Sequence, residues 1–446
     1  MEKSKQREQW GSRLGFILAA SGAAVGLGNI LRFPYLTTEH GGATFVFVYI
    51  FCVLLLGIPL ILVEFAVGRA GQANPVAAIK ALCPSRKIWQ GVGLLGVLTA
   101  FFILCYYLVP AGWTLAYVML MSIKCQAPLS ALTANPWAVM LSTAIFLAFN
   151  VLILRKGLQK GIEKSSKILM PTLFLLLCFL VVRALFLPNS DLGIRYYLSP
   201  DWSKVSGRML LDALSQTFFS LSIGEAVLIT FASFVSRTDS LVTSALAIAF
   251  FDTTVAVLAG FMIFPTLFSF GHSPERQGMG MMFNIMPELF ARMPGGWLFG
   301  VGFFLLLGFA ALTTTIALFE MPVTYLQENH GVSRSRAITW VSLGALCLSL
   351  PISLSHGAVA ALSDFQFLGK TGLYEVFDFV WGGLAMVLGG LLLTIFVGWV
   401  WGTLPAVREL VNGSPGFGKI GRWWGFHIRY LAPVLIVVIL LGLFGL

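Results

Sequence analysis

The chain has 446 residues, of which 58% are apolar and 11% are charged, and its formal net charge is +10. Soluble domains average about 45–50% apolar and about 25% charged residues. The composition therefore excludes an ordinary soluble protein and predicts an integral membrane protein. Most of the 29 Lys and Arg residues stand in alternate loops between apolar runs. The positive charge thus indicates membrane topology, and no nucleic acid is expected as a partner.

Eleven apolar runs are long enough to cross a bilayer, which takes roughly 20 residues. They are centred near residues 24, 57, 104, 144, 174, 221, 255, 311, 343, 388 and 436. The basic loops place the N-terminus in the cytoplasm and, after eleven crossings, the C-terminus outside. We therefore predict a multi-pass protein of the cell (inner) membrane, surrounded by the lipid bilayer and either a monomer or a weak dimer.

The first and sixth runs are interrupted by residues that oppose a plain lipid-facing helix. The first contains "GAAVGLGNILRFPY" at residues 22–35, and the sixth contains "SLSIGEA" at residues 220–226. Irregular backbone survives at membrane depth only where protein or a polar ligand satisfies its N–H and C=O groups. Glycine kinks that merely allow close helix packing are the alternative. The polar residues Asn29, Arg32 and Glu225 in the same segments favour a binding site.

Paired breaks in two halves of a chain are typical of a secondary transporter, with the binding site near the middle of the membrane. Carbonyl groups freed by a break can ligate cations, and the N-termini of half-helices present N–H groups to anions. An amino acid carried together with sodium meets both requirements.

Longer motifs along the chain carry a resemblance to a known family. They are "REQWGSRLG", "GAAVGLGNILRFPY", "GIPLILVEFAVGR", "KILMPTLF", "SLSIGEAVLITFASF" and "GFAALTTTIALFE". With these motifs the chain resembles the neurotransmitter:sodium symporter family, the LeuT-type transporters, over nearly its whole length. The resemblance implies an all-α integral membrane protein with a LeuT-type fold, which is a 5+5 inverted repeat with broken helices 1 and 6, plus one further helix.

The resemblance also implies a single transmembrane transporter domain over residues 1–446. Its repeat halves are expected at about 12–186 and 208–402, and the additional helix at about 423–446. The implied activity is sodium-coupled amino-acid symport by alternating access, in which a bundle of helices 1, 2, 6 and 7 moves against a scaffold. An enzyme is not expected, because the five histidines are dispersed and form no catalytic cluster such as H-E-x-x-H.

Two sodium sites are implied by the family resemblance, both made of oxygen ligands, which suit a hard cation. The first takes the carbonyl of Ala24, the side chain of Asn29, Ser220 and Asp252, and the second takes the carbonyls of Gly22, Val25 and Ala310 with the hydroxyls of Thr313 and Thr314. Without the resemblance, these threonines would more commonly bond back to their own helix turn. Because Asp252 adds a fixed negative charge to the first site, chloride is not expected.

The implied substrate site combines residues of the two breaks with residues of the third and eighth runs. The N–H groups of Leu27 and Gly28 and the hydroxyl of Tyr107 suit a carboxylate. Gly26 stands where monoamine carriers have an aspartate, which favours an amino acid. The amino group is expected at the carbonyls of Ala24, Phe219 and Ser220 and the hydroxyl of Ser222, and side-chain specificity at Ile103, Tyr107, Phe219, Ser222, Glu225, Thr314 and Leu318.

Glu225 departs from the family pattern, since related amino-acid carriers commonly have an apolar residue there. A charged group inside a membrane segment costs roughly 2.5–3.5 kcal/mol and is a functional candidate by default. We predict that Glu225 pairs with the cationic side chain of a lysine-, arginine- or ornithine-like substrate. The alternatives are a protonated Glu225 bonded to backbone, or a carboxylate facing a water-filled vestibule. The protein itself could then carry neutral hydrophobic amino acids, or act as an amino-acid sensor or channel on the same fold.

Other charges in the apolar runs match the gates of the family. Arg32 and Asp378 match the outer gate pair, and Arg7 and Glu328 match the inner pair. Glu64 in the second run is expected to hold the broken backbones of the first and sixth. No role is predicted for Glu320 in the eighth run.

Overall fold

The computed structural model describes residues 8–272 and 280–445, and this part of the chain is almost entirely helical. Nine of the described helices are long and apolar enough to cross a membrane, and one bent helix pair makes ten. The continuous helices are helix 2 (Ala43–Gly71), helix 3 (Lys87–Ser122), helix 4 (Pro136–Leu154), helix 5 (Leu158–Leu185), helix 7 (Leu241–Ser269), helix 8 (Gly296–His330), helix 9 (Arg334–Leu354), helix 10 (Leu373–Val411) and helix 11 (Gly421–Leu443).

The two interrupted runs form broken helices. Helix 1 consists of Arg13–Ala24 and Gly28–Glu39, which meet at an angle of 50°. Helix 6 consists of Gly207–Ser220 and Val227–Ala232, and each half is too short to cross a bilayer alone. All eleven apolar runs of the sequence therefore correspond to helices, with the two breaks where the sequence predicts them.

Left-handed backbone produces the break in helix 6. Ser222, Gly224 and Ala226 have φ values of 51°, 87° and 58°, and a right-handed helix cannot include such residues. At Gly224 an added Cβ would lie 2.1 Å from the carbonyl oxygen of Met386. Only glycine therefore fits where this break passes helix 10.

Shorter elements connect the membrane helices. The remaining α-helices are Pro75–Leu82, Leu129–Thr133, Ser190–Leu198, Gly280–Ala291 and Ala360–Ser363. Strands Gln366–Phe367 and Lys370–Thr371 form a two-residue antiparallel hairpin, in which Gln366 is opposite Thr371. The hairpin and the helix Ala360–Ser363 connect helix 9 to helix 10.

A fully buried arginine joins three segments at one end of the helices. Arg69 near the end of helix 2 forms an ion pair of 2.6 Å with Glu409 near the end of helix 10. Its guanidinium also donates to the carbonyl oxygens of Asp239, at 2.5 Å, and Asn412, at 3.2 Å. These bonds fix helix 10 against helix 2 and the start of helix 7.

Helices 8 and 9 are joined by a second buried ion pair, which gives Glu320 a structural role. Arg334 donates from Nη1 to Oε1 of Glu320 at 2.8 Å and from Nη2 to Oε2 at 2.7 Å. Both of its terminal nitrogens thus bind one carboxylate, the strong bidentate geometry. Arg334 also donates to the carbonyl oxygen of Leu154 at the end of helix 4.

Candidate functional site

A small cavity of about 20 Å³ lies where the breaks of helices 1 and 6 meet helices 3 and 8. Ten of the twelve predicted substrate residues line it: Ala24, Gly26, Gly28, Ile103, Tyr107, Phe219, Ser222, Glu225, Thr314 and Leu318. Ala23 also lines it and was missed by the sequence analysis. The other two predicted residues, Leu27 and Ser220, adjoin lining residues in the chain.

The break in helix 1 presents backbone N–H groups beside Tyr107. The N–H of Leu27 donates to the hydroxyl oxygen of Tyr107 at 2.6 Å. A Cβ added to Gly26 would lie 2.5 Å from that hydroxyl and 2.7 Å from Oγ1 of Thr314. Glycine at this position is therefore what lets helices 3 and 8 approach the break.

Beside this cavity, a buried polar cluster joins helices 1, 2, 6 and 7 around Asp252. Nδ2 of Asn29 donates to Oδ1 of Asp252 at 2.7 Å, and the hydroxyl of Ser220 donates to Oδ2 at 2.8 Å. Oδ1 of Asn29 accepts from the N–H of Gly26 at 3.0 Å. The structure thus brings together the side chains predicted for the first sodium site.

Tyr49 of helix 2 completes that cluster, and the sequence analysis missed it. Its hydroxyl donates to Oδ2 of Asp252 at 3.1 Å, and its side chain is fully buried. Tyr49 stands in an otherwise apolar run, where an aromatic residue commonly fills space. Nothing in the spacing of the run indicates a polar partner.

The residues predicted for the second sodium site converge between helix 8 and the break of helix 1. Oγ1 of Thr314 is 3.3 Å from the carbonyl oxygen of Gly22, 3.4 Å from that of Val25 and 3.2 Å from that of Ala310. Thr313 instead bonds to the carbonyl of Ala310 in its own helix, at 3.0 Å. Thr313 therefore makes the back-bond considered in the sequence analysis, whereas Thr314 also bridges to helix 1.

Glu225 lies in the break of helix 6 and lines the cavity with a buried carboxylate. Its side chain is 3% exposed, and its Oε2 has no hydrogen-bond partner among the described residues. Most buried polar atoms have such a partner, because leaving one unsatisfied is costly. Oε2 of the nearby Glu64 also has no partner among the described residues, but its Oε1 accepts from the N–H of Gly224 at 2.7 Å. Glu64 thereby supports the broken backbone, whereas Glu225 is the one of the two that lines the cavity.

A larger cavity of about 260 Å³ adjoins the small one, and Gly28, Tyr107 and Phe219 line both. Arg32, Glu375 and Asp378 are its charged lining residues. The guanidinium of Arg32 lies over the ring of Phe219, 4.8 Å from its centroid, and donates to Ser215 at 3.4 Å. Arg32 and Asp378 thus face the same cavity, but they do not form an ion pair with each other.

Beside this larger cavity, His356 packs against Tyr374 with their ring centroids 4.8 Å apart. Burial lowers the pKa of His356 to about 4, so this histidine is uncharged near neutral pH. His356 does not line the larger cavity, whose acidic lining residues are Glu375 and Asp378 and whose basic lining residue is Arg32.

Of the predicted inner pair, Arg7 lies outside the described residues. Glu328 accepts from the backbone N–H of Asn74 at 2.6 Å and from its side chain at 3.0 Å. Trp10, three residues after Arg7 in the chain, donates from its indole N–H to the carbonyl oxygen of Phe231 at 2.9 Å. Trp10 is therefore packed against the second half of helix 6.

The profile of the Sodium:neurotransmitter symporter family matches residues 7–138 and 129–444. The chain belongs to this family. It is 35% identical to the uncharacterized sodium-dependent transporter YhdH of Bacillus subtilis, with 98% of both chains covered, and 35% identical to an uncharacterized sodium-dependent transporter of Haemophilus influenzae at the same coverage. This family member is thus a multi-pass, sodium-dependent membrane transporter and not an enzyme.

The fold agrees with a solved structure of the same family. The crystal structure of MhsT in complex with L-phenylalanine superimposes with a TM-score of 0.89 at 38% identity, covering 98% of this chain and 100% of MhsT. The predicted LeuT-type fold is therefore confirmed.

Proposed function

We propose that this transporter is a sodium-coupled symporter for cationic amino acids of the lysine, arginine or ornithine type, working by alternating access. The observation that carries the proposal is the buried, unpartnered Oε2 of Glu225 in the cavity wall. A substrate ammonium or guanidinium group would satisfy this oxygen with a charge-assisted hydrogen bond. It would also neutralise a charge that is otherwise costly within the membrane.

The substrate backbone fits the opposite wall of the cavity. Its carboxylate is placed at the N–H groups of Leu27 and Gly28 and the hydroxyl of Tyr107, near the first proposed sodium ion. Its amino group is placed at the carbonyls of Ala24, Phe219 and Ser220 and the hydroxyl of Ser222. The side chain then passes between Ile103, Thr314 and Leu318 toward Glu225, all of which line the cavity.

Binding requires the small cavity to open, because a volume of about 20 Å³ holds only about one water molecule. Gly28, Tyr107 and Phe219 line both cavities, so we propose that movement of the Phe219 ring admits the substrate from the larger cavity. The lining of the larger cavity has two acidic residues, Glu375 and Asp378, and one basic residue, Arg32. Lys370 interacts with both of these acids.

Two sodium ions are proposed as co-transported substrates. The first would be bound at Ala24, Asn29, Ser220 and Asp252, and the second at Gly22, Val25, Ala310, Thr313 and Thr314. The carboxylate of Asp252 would supply the negative charge in the first site, so we propose transport that does not depend on chloride. Replacing chloride by gluconate should leave uptake unchanged.

Ion movement can drive accumulation of the solute. Each positive charge that enters down a potential of 100 mV provides about 2.3 kcal/mol. Two sodium ions would provide about 4.6 kcal/mol, enough for more than a thousandfold accumulation of a neutral solute, since about 1.4 kcal/mol is tenfold. A solute with one positive charge would gain about 2.3 kcal/mol more from the same potential.

The side of the membrane that each proposed gate faces follows from the proposed topology. Basic loops indicate a cytoplasmic N-terminus, which places the larger cavity and the proposed outer gate of Arg32 and Asp378 outside. Closure would then bring this pair together over bound substrate, and Arg7 with Glu328 would form the inner gate. We also propose that the protein works in the inner membrane as a monomer or weak dimer.

A neutral hydrophobic amino acid is the second candidate substrate. It is favoured by the solved MhsT structure, which holds L-phenylalanine, and by the apolar residues Ile103 and Leu318 in the cavity wall. Glu225 would then be protonated, or would bond to solvent in the opened cavity. A sensor or channel on the same fold would bind the solute without concentrating it.

A binding screen distinguishes these candidates. Purified protein is tested against the twenty amino acids and ornithine, with sodium and with potassium in its place. We expect lysine, arginine or ornithine to bind only with sodium. Tight binding of leucine or phenylalanine without binding of any cationic amino acid would overturn the assignment to Glu225 and leave the family membership intact.

A further inference from the structure

A second cavity with basic residues lies away from the transport site, where helix 10 meets helix 11. It has a volume of about 390 Å³, within the range of about 300–1,000 Å³ that is usual for small-molecule sites. Arg422 and Arg429 line it, and no lining residue is acidic. The nearby Glu409 is already paired with Arg69.

The two arginines lie on one face of helix 11. They are seven residues apart, about two helical turns or about 10 Å along the axis. Helix 11 begins at Gly421, so Arg422 stands at its start and Arg429 stands about 12 Å further along the helix. Charged residues within a membrane helix ordinarily pair with other charges or with backbone carbonyls.

Arg429 is held in place without a carboxylate partner in the described part of the chain. Its Nε donates to the carbonyl oxygen of Gly398 at 2.8 Å, and its guanidinium lies 4.8 Å from the centroid of the Trp399 ring. The indole of Trp399 in turn donates to the carbonyl of Arg429 at 3.2 Å. These contacts fix the guanidinium and leave its terminal nitrogens available to an anion.

Aromatic and apolar side chains surround the opening of this cavity. Leu404 is 61% exposed, Phe426 59% and Tyr430 46%, and all three line the cavity. Tryptophan and tyrosine collect at the membrane–water interface, and Trp423, beside Arg422, is also exposed. A phospholipid matches this arrangement, since its headgroup would lie at the arginines while its acyl chains lie along the adjoining apolar surface.

We propose that this cavity binds the phosphate headgroup of an anionic phospholipid, with Arg422 and Arg429 bound to the phosphate and the acyl chains lying over Leu404 and Phe426. Guanidinium groups bind phosphate through paired hydrogen bonds, and basic pockets between membrane helices are suited to anionic headgroups. The bound lipid would bridge helix 11 and the end of helix 10.

Native mass spectrometry of the full-length protein in mild detergent tests this site. Dioleoyl phosphatidylglycerol is titrated against wild type and the double variant Arg422→Gln/Arg429→Gln, with dioleoyl phosphatidylcholine as the neutral lipid. A basic residue near a membrane surface contributes about fivefold in affinity, so the double variant should bind phosphatidylglycerol more weakly by more than about fivefold. Equal binding in wild type and double variant would overturn the proposal.

Two controls separate lipid binding from other effects. Arg86→Gln/Arg155→Gln removes the same charge at exposed positions and should bind phosphatidylglycerol like wild type; an equal loss there would contradict a specific site. Glycerol 3-phosphate, which has the anion without acyl chains, should compete weakly, and competition as strong as that of the lipid would refute a lipid site. Since Arg429 contacts helix 10, the single variants Arg422→Gln, Arg429→Gln and Arg429→Lys are measured as well. Arg422→Gln should weaken binding about fivefold, and Arg429→Lys should retain more binding than Arg429→Gln.

Discussion

The substitution Glu225→Gln tests the proposed role of this residue in selecting the substrate. It keeps the shape of the side chain and removes its negative charge. Because Glu225 is 3% exposed, a cationic substrate bound beside it would lose a buried partner rather than a solvent-exposed one. Breaking a buried ion pair by removing one partner costs about 3–5 kcal/mol, which corresponds to a loss of about 100- to 4,000-fold in affinity.

The effect should depend on the substrate. We expect lysine binding to fall by at least about 100-fold and phenylalanine binding to remain the same or improve, because a neutral amide is less costly beside an apolar side chain. Binding of radiolabelled lysine and phenylalanine to purified protein in saturating sodium measures both effects. Glu375→Gln is the matched control in the larger cavity, where an exposed carboxylate should contribute far less. An unchanged ratio of lysine to phenylalanine affinity in Glu225→Gln would refute the pairing.

Three further substitutions test other parts of the structure. Asp252→Asn removes the charge of the first proposed sodium site, so sodium affinity should fall and chloride should begin to stimulate uptake. Uptake that remains insensitive to chloride, with unchanged sodium affinity, would be inconsistent with that site. Gly224→Ala places a methyl group 2.1 Å from the carbonyl oxygen of Met386, so transport should be lost and Tm lowered, and an active variant of normal Tm would contradict the backbone described for the break. Glu320→Gln leaves Arg334 without its carboxylate and should destabilise the protein by about 3–5 kcal/mol. The double variant Glu320→Leu/Arg334→Met should recover much of this loss in a melting experiment, and equal melting of wild type and Glu320→Gln would exclude the pair as a stabilising contact.

Much of the fold could be predicted because its signals are local. In the described part of the chain, nine of the eleven apolar runs form continuous helices long enough to cross a bilayer, because such a length of apolar residues is itself the signal. The two breaks were also predictable, because glycine and polar residues such as Asn29 and Glu225 have no place in a lipid-facing helix. Ten residues of the predicted substrate site line one cavity. The family resemblance predicted that helices 1, 3, 6 and 8 would meet there.

Contacts between distant segments could not be predicted in the same way. Tyr49 bonds to Asp252 across 203 residues, and only the packing of helix 2 against helix 7 makes them neighbours. Glu320 had no predicted role because its partner Arg334 is on the next helix, after the loop that connects helices 8 and 9. The pairing therefore depends on how these two helices pack. The predicted outer gate depends on conformation as well, since Arg32 lies over Phe219 rather than against Asp378.

Uptake of radiolabelled lysine into proteoliposomes tests the central claim most directly. Vesicles loaded with potassium are diluted into sodium or potassium buffer, with the membrane potential clamped, and internal lysine is followed over time. We expect lysine to rise above the external concentration only when sodium is outside, and a sodium ionophore to abolish this accumulation. Equilibration without accumulation, or accumulation that does not depend on sodium, would contradict it.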